Sequence, residues 1–167
     1  MTFAQIILGL VALQRLGELV LALRNTRRLL ARGAVEVGRS HYPALVLLHG
    51  AWLATLALTL PRDATISWPL LALFLVLQGL RVWVIWSLGP FWTTRIITLP
   101  HAPLVRRGPY RFVRHPNYMI VAAEIAVLPL VFGAWQVALA FSLLNAVILA
   151  WRIRVEEQVL RHRRTLA

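Results

Sequence analysis

The residues best suited to chemistry lie in two runs. One is H-A-P-L-V-R-R-G-P-Y-R-F-V-R-H-P-N-Y, from His101 to Tyr118; the other is W-R-I-R-V-E-E-Q-V-L, from Trp151 to Leu160. His101, His115 and Arg114 can donate hydrogen bonds. Tyr110 and Tyr118 can stack, or attract a cation through the ring face. Gly108 permits close backbone approach. Pro116 suits the start of a helix, where a fixed φ and a missing N–H are tolerated, and a free helix N-terminus beside Asn117 can hold a carboxylate. Glu156 and Glu157 can take an amino group. The set suits a polar ligand bearing both a ring and charge: an amino-acid head, an adenine-like ring and a sulfonium all match. A long connection in a compact chain is usually functional or disordered, and the prolines, aromatics and glycine here argue against disorder.

The elements that must position these residues are membrane helices. Hydrophobic residues make up 59% of the 167 and charged residues 14%, too few to cover a water-soluble surface. Five apolar segments stand out, from about Phe3 to Leu23, Pro43 to Leu60, Trp68 to Leu88, Tyr118 to Phe132 and Trp135 to Trp151. A span needs roughly 20 apolar residues; the fourth segment is short and contains Pro129. Gly133-Ala134 reads as a tight turn, which makes the last two segments a helical hairpin. The expected fold is all-α: a polytopic membrane protein with five transmembrane helices and a single domain over residues 1–167. Residues 1–88 supply three N-terminal membrane helices, 89–117 a cytosolic binding loop, and 118–167 the hairpin and a cytosolic tail.

The net charge of +12 comes from arginine alone among the basic residues. Clustered beside apolar runs, these cations point to topology and anionic lipid, with no nucleic-acid partner expected. Arg24, Arg27, Arg28, Arg32 and Arg39 fall in residues 24–42. Arg95, Arg106, Arg107, Arg111 and Arg114 fall in 89–117, and Arg152, Arg154, Arg161, Arg163 and Arg164 in the tail. Only Arg62 lies in the remaining connections. Cationic loops stay in the cytoplasm, so the chain is expected in the cell (inner) membrane with its N-terminus outside and its C-terminus cytoplasmic. The start, M-T-F-A-Q-I-I, has no positive n-region, so no cleavable signal peptide is expected. With no cysteine, disulfides and thiolate metal sites are excluded, and no metal is expected.

Charged residues within membrane helices are costly and default to function. Arg15, Glu18, Arg81 and Glu124 all lie toward the inner ends of their segments, with Gln78 one turn deeper than Arg81, and their charges sum to zero, as a paired cluster requires. The plainer reading is structural: Arg15–Glu18 at i,i+3 and Arg152–Glu156 at i,i+4 as local ion pairs. His49 and Asn145 read as helix-packing groups. Tyr42, Trp68 and Trp151 read as interface anchors.

The run H-x-P-L-V-x-x-G-P-Y-x-x-x-R-H-P-x-Y, followed by W-R-x-x-x-E-E-x-x-L, resembles the isoprenylcysteine carboxyl methyltransferase family, whose wider relatives include membrane phospholipid methyltransferases. The likeness is strong over about the last 75 residues. One departure is Met119-Ile120, where the family often has Gly soon after the motif Tyr. The N-terminal R-L-G-E-L, R-N-x-R and E-V-G-x-x-H-Y-P are similar to a short bacterial branch often associated with type III polyketide synthases and lipid-like pyrone or resorcinol products. The resemblance implies an integral-membrane enzyme using S-adenosyl-L-methionine, with cofactor from the cytosol and a lipophilic acceptor from the bilayer. By position, it implies that His101, Leu104, Gly108, Tyr110, Arg114, His115 and Tyr118 line the cofactor site. Glu156 or Glu157 would close it, and Arg152 would face the acceptor oxygen.

Methyl transfer from a sulfonium is an in-line displacement that relies on positioning and water exclusion. A carboxylate acceptor needs no base, and an enol or phenol would be favoured as its anion by an adjacent Arg152 or Arg81. The expected reaction is therefore O-methyl transfer, with Arg152, Arg81 and Glu156 as the catalytic candidates. Alternatives are a phospholipid amine N-methyltransferase, a nucleotide-dependent membrane reductase and a non-enzymatic membrane scaffold. The chain has no G-x-G-x-x-G, which excludes a soluble Rossmann-type methyltransferase.

Overall fold

The computed structural model describes residues 2–39, 42–61, 63–99 and 105–165, the last seven of these by backbone alone. Five helices account for most of them: α1 (Phe3–Leu30), α2 (Tyr42–Thr59), α3 (Trp68–Leu88), α4 (Pro116–Val131) and α5 (Trp135–Thr165). Two strands, β1 (Val35–Val37) and β2 (Ile96–Thr98), pair antiparallel with Val35 opposite Thr98 and Val37 opposite Ile96. The purely α expectation is thus corrected by a small ribbon. Its strands are three residues each, too short for a periodic pattern to announce them.

Local chemistry sets the helix ends. Thr2 caps α1 in a reciprocal box with Gln5, each side chain accepting from the other's backbone N–H. Pro69 and Pro116 sit in the first turns of α3 and α4. Gly89 and Gly133, both at positive φ, stop α3 and carry the turn into α5. α1 and α5 run beyond their apolar segments. Arginine is a good helix former, so hydropathy fades before the helix does. Residues 24–30 are therefore helical rather than loop, and the tail remains helical to Thr165.

Among the described residues, four helices are long and apolar enough to cross a membrane: α1, α2, α3 and α5. α4 has 16 residues, about 24 Å at the usual rise. It packs between α3 and α5. The Ser67 N–H donates to the Val131 carbonyl, joining the start of α3 to the end of α4, so these two run antiparallel. The β ribbon brings the exits of α1 and α3 to one end of the molecule, where α4 begins. The main apolar core lies toward the other end and is built on Trp52, Leu56, Ile125 and Leu128, all essentially inaccessible.

Candidate active site

α1, α3 and α4 each carry charge into their mutual interface. Arg81 grips Glu18 in a fork, with Nε and Nη2 each 2.5 Å from a carboxylate oxygen. Its Nη1 donates to Glu124 at 2.9 Å. Arg15 bridges the same two acids, at 3.1 Å to Glu18 and 2.9 Å to Glu124. Gln14 donates to Glu18 and to Gln78, and Gln78 donates to Glu124. Arg15–Glu18 is therefore one edge of a ring spanning three helices, not a local pair. Two cations and two anions cancel, and the glutamines take up remaining carboxylate lone pairs, as buried ions require. All three nitrogens of the Arg81 guanidinium face carboxylates.

One layer nearer the helix exits, α4 and α5 bring the two sequence motifs together. The Tyr118 hydroxyl accepts from Arg152 Nε at 2.7 Å and donates to the Glu156 carboxylate. Arg152 and Glu156, one turn apart on α5, are thus joined through a phenol on α4. Arg152 Nη1 donates to the Thr94 carbonyl at 2.7 Å, and its guanidinium lies over the Tyr118 ring. His115 stacks on Tyr118, with centroids 5.4 Å apart, and faces Glu156 at 4.0 Å and Glu157 at 3.8 Å.

The other motif residues have different surroundings. Gly108 is at φ 57°, and a Cβ there would collide with the Ser87 side chain. Its neighbour Arg107 donates to the Ser87 carbonyl at 2.6 Å. Gly108 thus lets the loop lie directly on the end of α3. Tyr110 packs on the cluster of Ala22, Val84, Trp92 and Ile120. Burial, reinforced by the Glu156 carboxylate, holds its phenol well above the ordinary value, so it is a neutral donor at any physiological pH. Arg114 is exposed. His101 and Leu104 lie outside the described residues.

Beside Arg152 and Tyr118 opens a cavity of about 440 Å³ reached by all five helices. At one end it is lined by Thr93, Thr94, Asn117, Tyr118 and Arg152, and on one side by Arg15, Glu18 and Arg81. Leu16, Leu19, Leu45, Val46 and Leu53 make an apolar wall that also carries His49. Sequence reasoning gave no lining role to Tyr42, Thr93, Thr94 or His49: Tyr42 and Thr94 are placed by contacts distant in the chain, and nothing local to Thr93 or His49 announces that it faces a cavity. Arg95 pairs with Glu36 at 2.9 Å and covers the Tyr42 ring at 4.4 Å, bringing the ribbon over Tyr42 and Thr94.

The donor set fits the ligand that the motifs imply. The His115–Tyr118 stack offers a face for a heteroaromatic ring, and Glu156 and Glu157 offer acceptors for an ammonium. Asn117 Oδ1 is a buried acceptor without a partner in the described structure, at the first turn of α4 and on the cavity wall. A buried unpaired polar atom at a helix N-terminus is what a bound polar ligand would satisfy.

The model of the isoprenylcysteine carboxyl methyltransferase (ICMT) family matches residues 70–162. Over 160 residues the chain is 36% identical to an uncharacterised protein, YpbQ, of Bacillus subtilis (strain 168), covering 93% of this chain and 95% of the relative. An uncharacterised protein of Haemophilus influenzae is 28% identical over 167 residues, covering 97% of each. No solved structure matches significantly.

Proposed function

Because the chain belongs to the isoprenylcysteine carboxyl methyltransferase family, we propose that it is an integral-membrane S-adenosylmethionine-dependent O-methyltransferase. Its acceptor is a lipophilic molecule bearing a carboxylate or an enolic or phenolic hydroxyl, such as an isoprenylcysteine-like or alkylpyrone-like lipid. The observation that carries this reading is the Arg152–Tyr118–Glu156 linkage at the edge of an otherwise largely apolar cavity.

When bound, the cofactor supplies an electrophilic methyl on a sulfonium, taken by an oxygen nucleophile with release of the thioether. Glu156 and Glu157 hold the ammonium of its amino-acid part, and His115 and Tyr118 present ring faces. N–H groups of the Arg152 fork not used by Tyr118 and Thr94 receive the acceptor oxygen and favour its anion. Tyr118, fixed between Arg152 and Glu156, keeps the acceptor-side cation and the cofactor-side anion in register. The leucine and valine walls exclude water, and positioning is the main source of acceleration. Arg81 supports the wall through Glu18 and Glu124, and the acceptor oxygen falls to Arg152. An anionic acceptor suits this cation better than an amine does, which favours oxygen over nitrogen.

Topology completes the proposal. The ribbon joins the two arginine-rich connections, so both lie on one side, and the cation rule puts that side in the cytoplasm. The test is binding of S-adenosylhomocysteine, measured by calorimetry on protein in lipid nanodiscs with NADPH as competitor ligand. S-adenosylhomocysteine should bind and NADPH should not. His115→Ala and Tyr118→Ala should each weaken binding by about 1–3 kcal/mol, the value of a lost aromatic stacking face. Preferential binding of NADPH would replace this reading by the reductase.

A further inference from the structure

The apolar wall that α2 gives to the cavity is interrupted by His49. Its Nδ1 lies 2.9 Å from the Leu45 carbonyl one turn back. A carbonyl can only accept, so Nδ1 carries the proton, and the neutral tautomer leaves Nε2 as a bare acceptor. Nε2 has no partner among the described residues. The ring is held edge-on to Trp52, with centroids 6.5 Å apart at 80°, so it cannot turn freely. Beside it Gly50 adds no side chain to the wall, and Leu53 lies one turn further. An acceptor in apolar surroundings costs free energy unless something donates to it.

We propose that His49 is a specificity-determining residue that reads, through Nε2, a hydrogen-bond-donating hydroxyl on the lipid acceptor, at a point along the chain deeper than the oxygen to be methylated. The inference rests on the methyltransferase reading. It deepens that reading by defining the acceptor as bifunctional: an anionic oxygen held at Arg152 and a hydroxyl donor held at His49. The placement follows the axis of the cavity. Arg152 and Tyr118 stand near the helix exits, while His49 is two turns into α2, beyond Tyr42. His49 takes no proton in this role. Arg15, Glu18 and Arg81 from α1 and α3 line the same cavity; Arg81 gives all three guanidinium nitrogens to Glu18 and Glu124, and Arg15 gives both Nη groups to the same acids and keeps only a donor, Nε, without a partner in the described structure, so the imidazole is an uncommitted acceptor on the deep wall.

The probes are palmitate and a positional series of hydroxypalmitates, with binding read by intrinsic tryptophan fluorescence of the full chain in nanodiscs. At least one hydroxyl position should improve affinity over palmitate by about tenfold, the scale of one well-placed hydrogen bond. His49→Phe keeps the ring and removes the acceptor, and should abolish that preference. His49→Gln, which retains an acceptor, should restore part of it. S-adenosylhomocysteine affinity should be unchanged in both variants, which shows that they fold. A wild-type profile flat across the series, or a preference that survives His49→Phe, overturns the proposal. Failure of the wild-type protein to bind S-adenosylhomocysteine would instead sink the methyltransferase reading.

Discussion

At the scale of single residues, the phenol of Tyr118 concentrates the most dependence, because its one oxygen serves both Arg152 and Glu156. Tyr118→Phe keeps the ring that stacks on His115 and removes that oxygen. A hydrogen bond to a charged group is worth about 1.5–3 kcal/mol, so turnover should fall by roughly ten- to a hundredfold. Single-turnover methyl transfer measures this, and an unchanged rate would mean that the linkage is only architectural. Arg152→Ala should lose most turnover yet bind S-adenosylhomocysteine within about twofold of wild type. Arg152→Lys should recover only part, since a point charge does not replace a planar fork. Equal loss of cofactor affinity in Arg152→Ala and Glu156→Ala would remove Arg152 from the acceptor side. These residues were legible in the sequence because their motifs are dense in polar groups within an apolar chain. The phenol bridge was not, since i,i+4 spacing on α5 suggests a direct Arg152–Glu156 pair and says nothing about what α4 inserts between them.

Whole elements depend on two close approaches. The loop before α4 lies on the end of α3 because Gly108 has positive φ and no Cβ to strike Ser87. Gly108→Ala should displace the loop and weaken cofactor binding. Adding Ser87→Gly should relieve the collision but not the backbone strain, so calorimetry on the double variant should show partial recovery. The ring of Arg15, Glu18, Arg81 and Glu124 binds α1 to α3 and α4. Glu124→Gln would leave two arginines facing one carboxylate. Breaking a buried pair costs on the order of 3–5 kcal/mol, so thermal unfolding of the detergent-solubilised variant should drop sharply. An unshifted melting point would place the ring outside the determinants of stability. Helix number and most boundaries could be read from hydropathy, and the zero charge sum already suggested pairing. The β ribbon could not be read: Val35–Val37 and Ile96–Thr98 are too short to carry a period, and their partnership spans two helices.

Across the whole molecule, the native absence of cysteine makes topology directly measurable. Single cysteines at Val35 and Phe112, which are 56% and 73% exposed, should resist an impermeant thiol reagent added outside intact cells. One at Trp135, the first residue of α5 after the turn from α4, should react if α4 crosses. Labelling at Val35 from outside would invert the orientation. Protection at Trp135 would mean that the 16-residue α4 stops within the bilayer. The ion ring also has a consequence for biosynthesis. α1 is made first and carries Arg15 and Glu18 into the membrane paired only with each other, and the groups that complete the ring, Arg81 and Glu124, are synthesised much later. A nascent chain must therefore shelter α1, against the insertion machinery or at the interface, until α3 and α4 emerge. Chains truncated after α2 should be extracted and degraded, and they should survive when Arg15 and Glu18 are both replaced by leucine, as pulse-chase in growing cells would reveal.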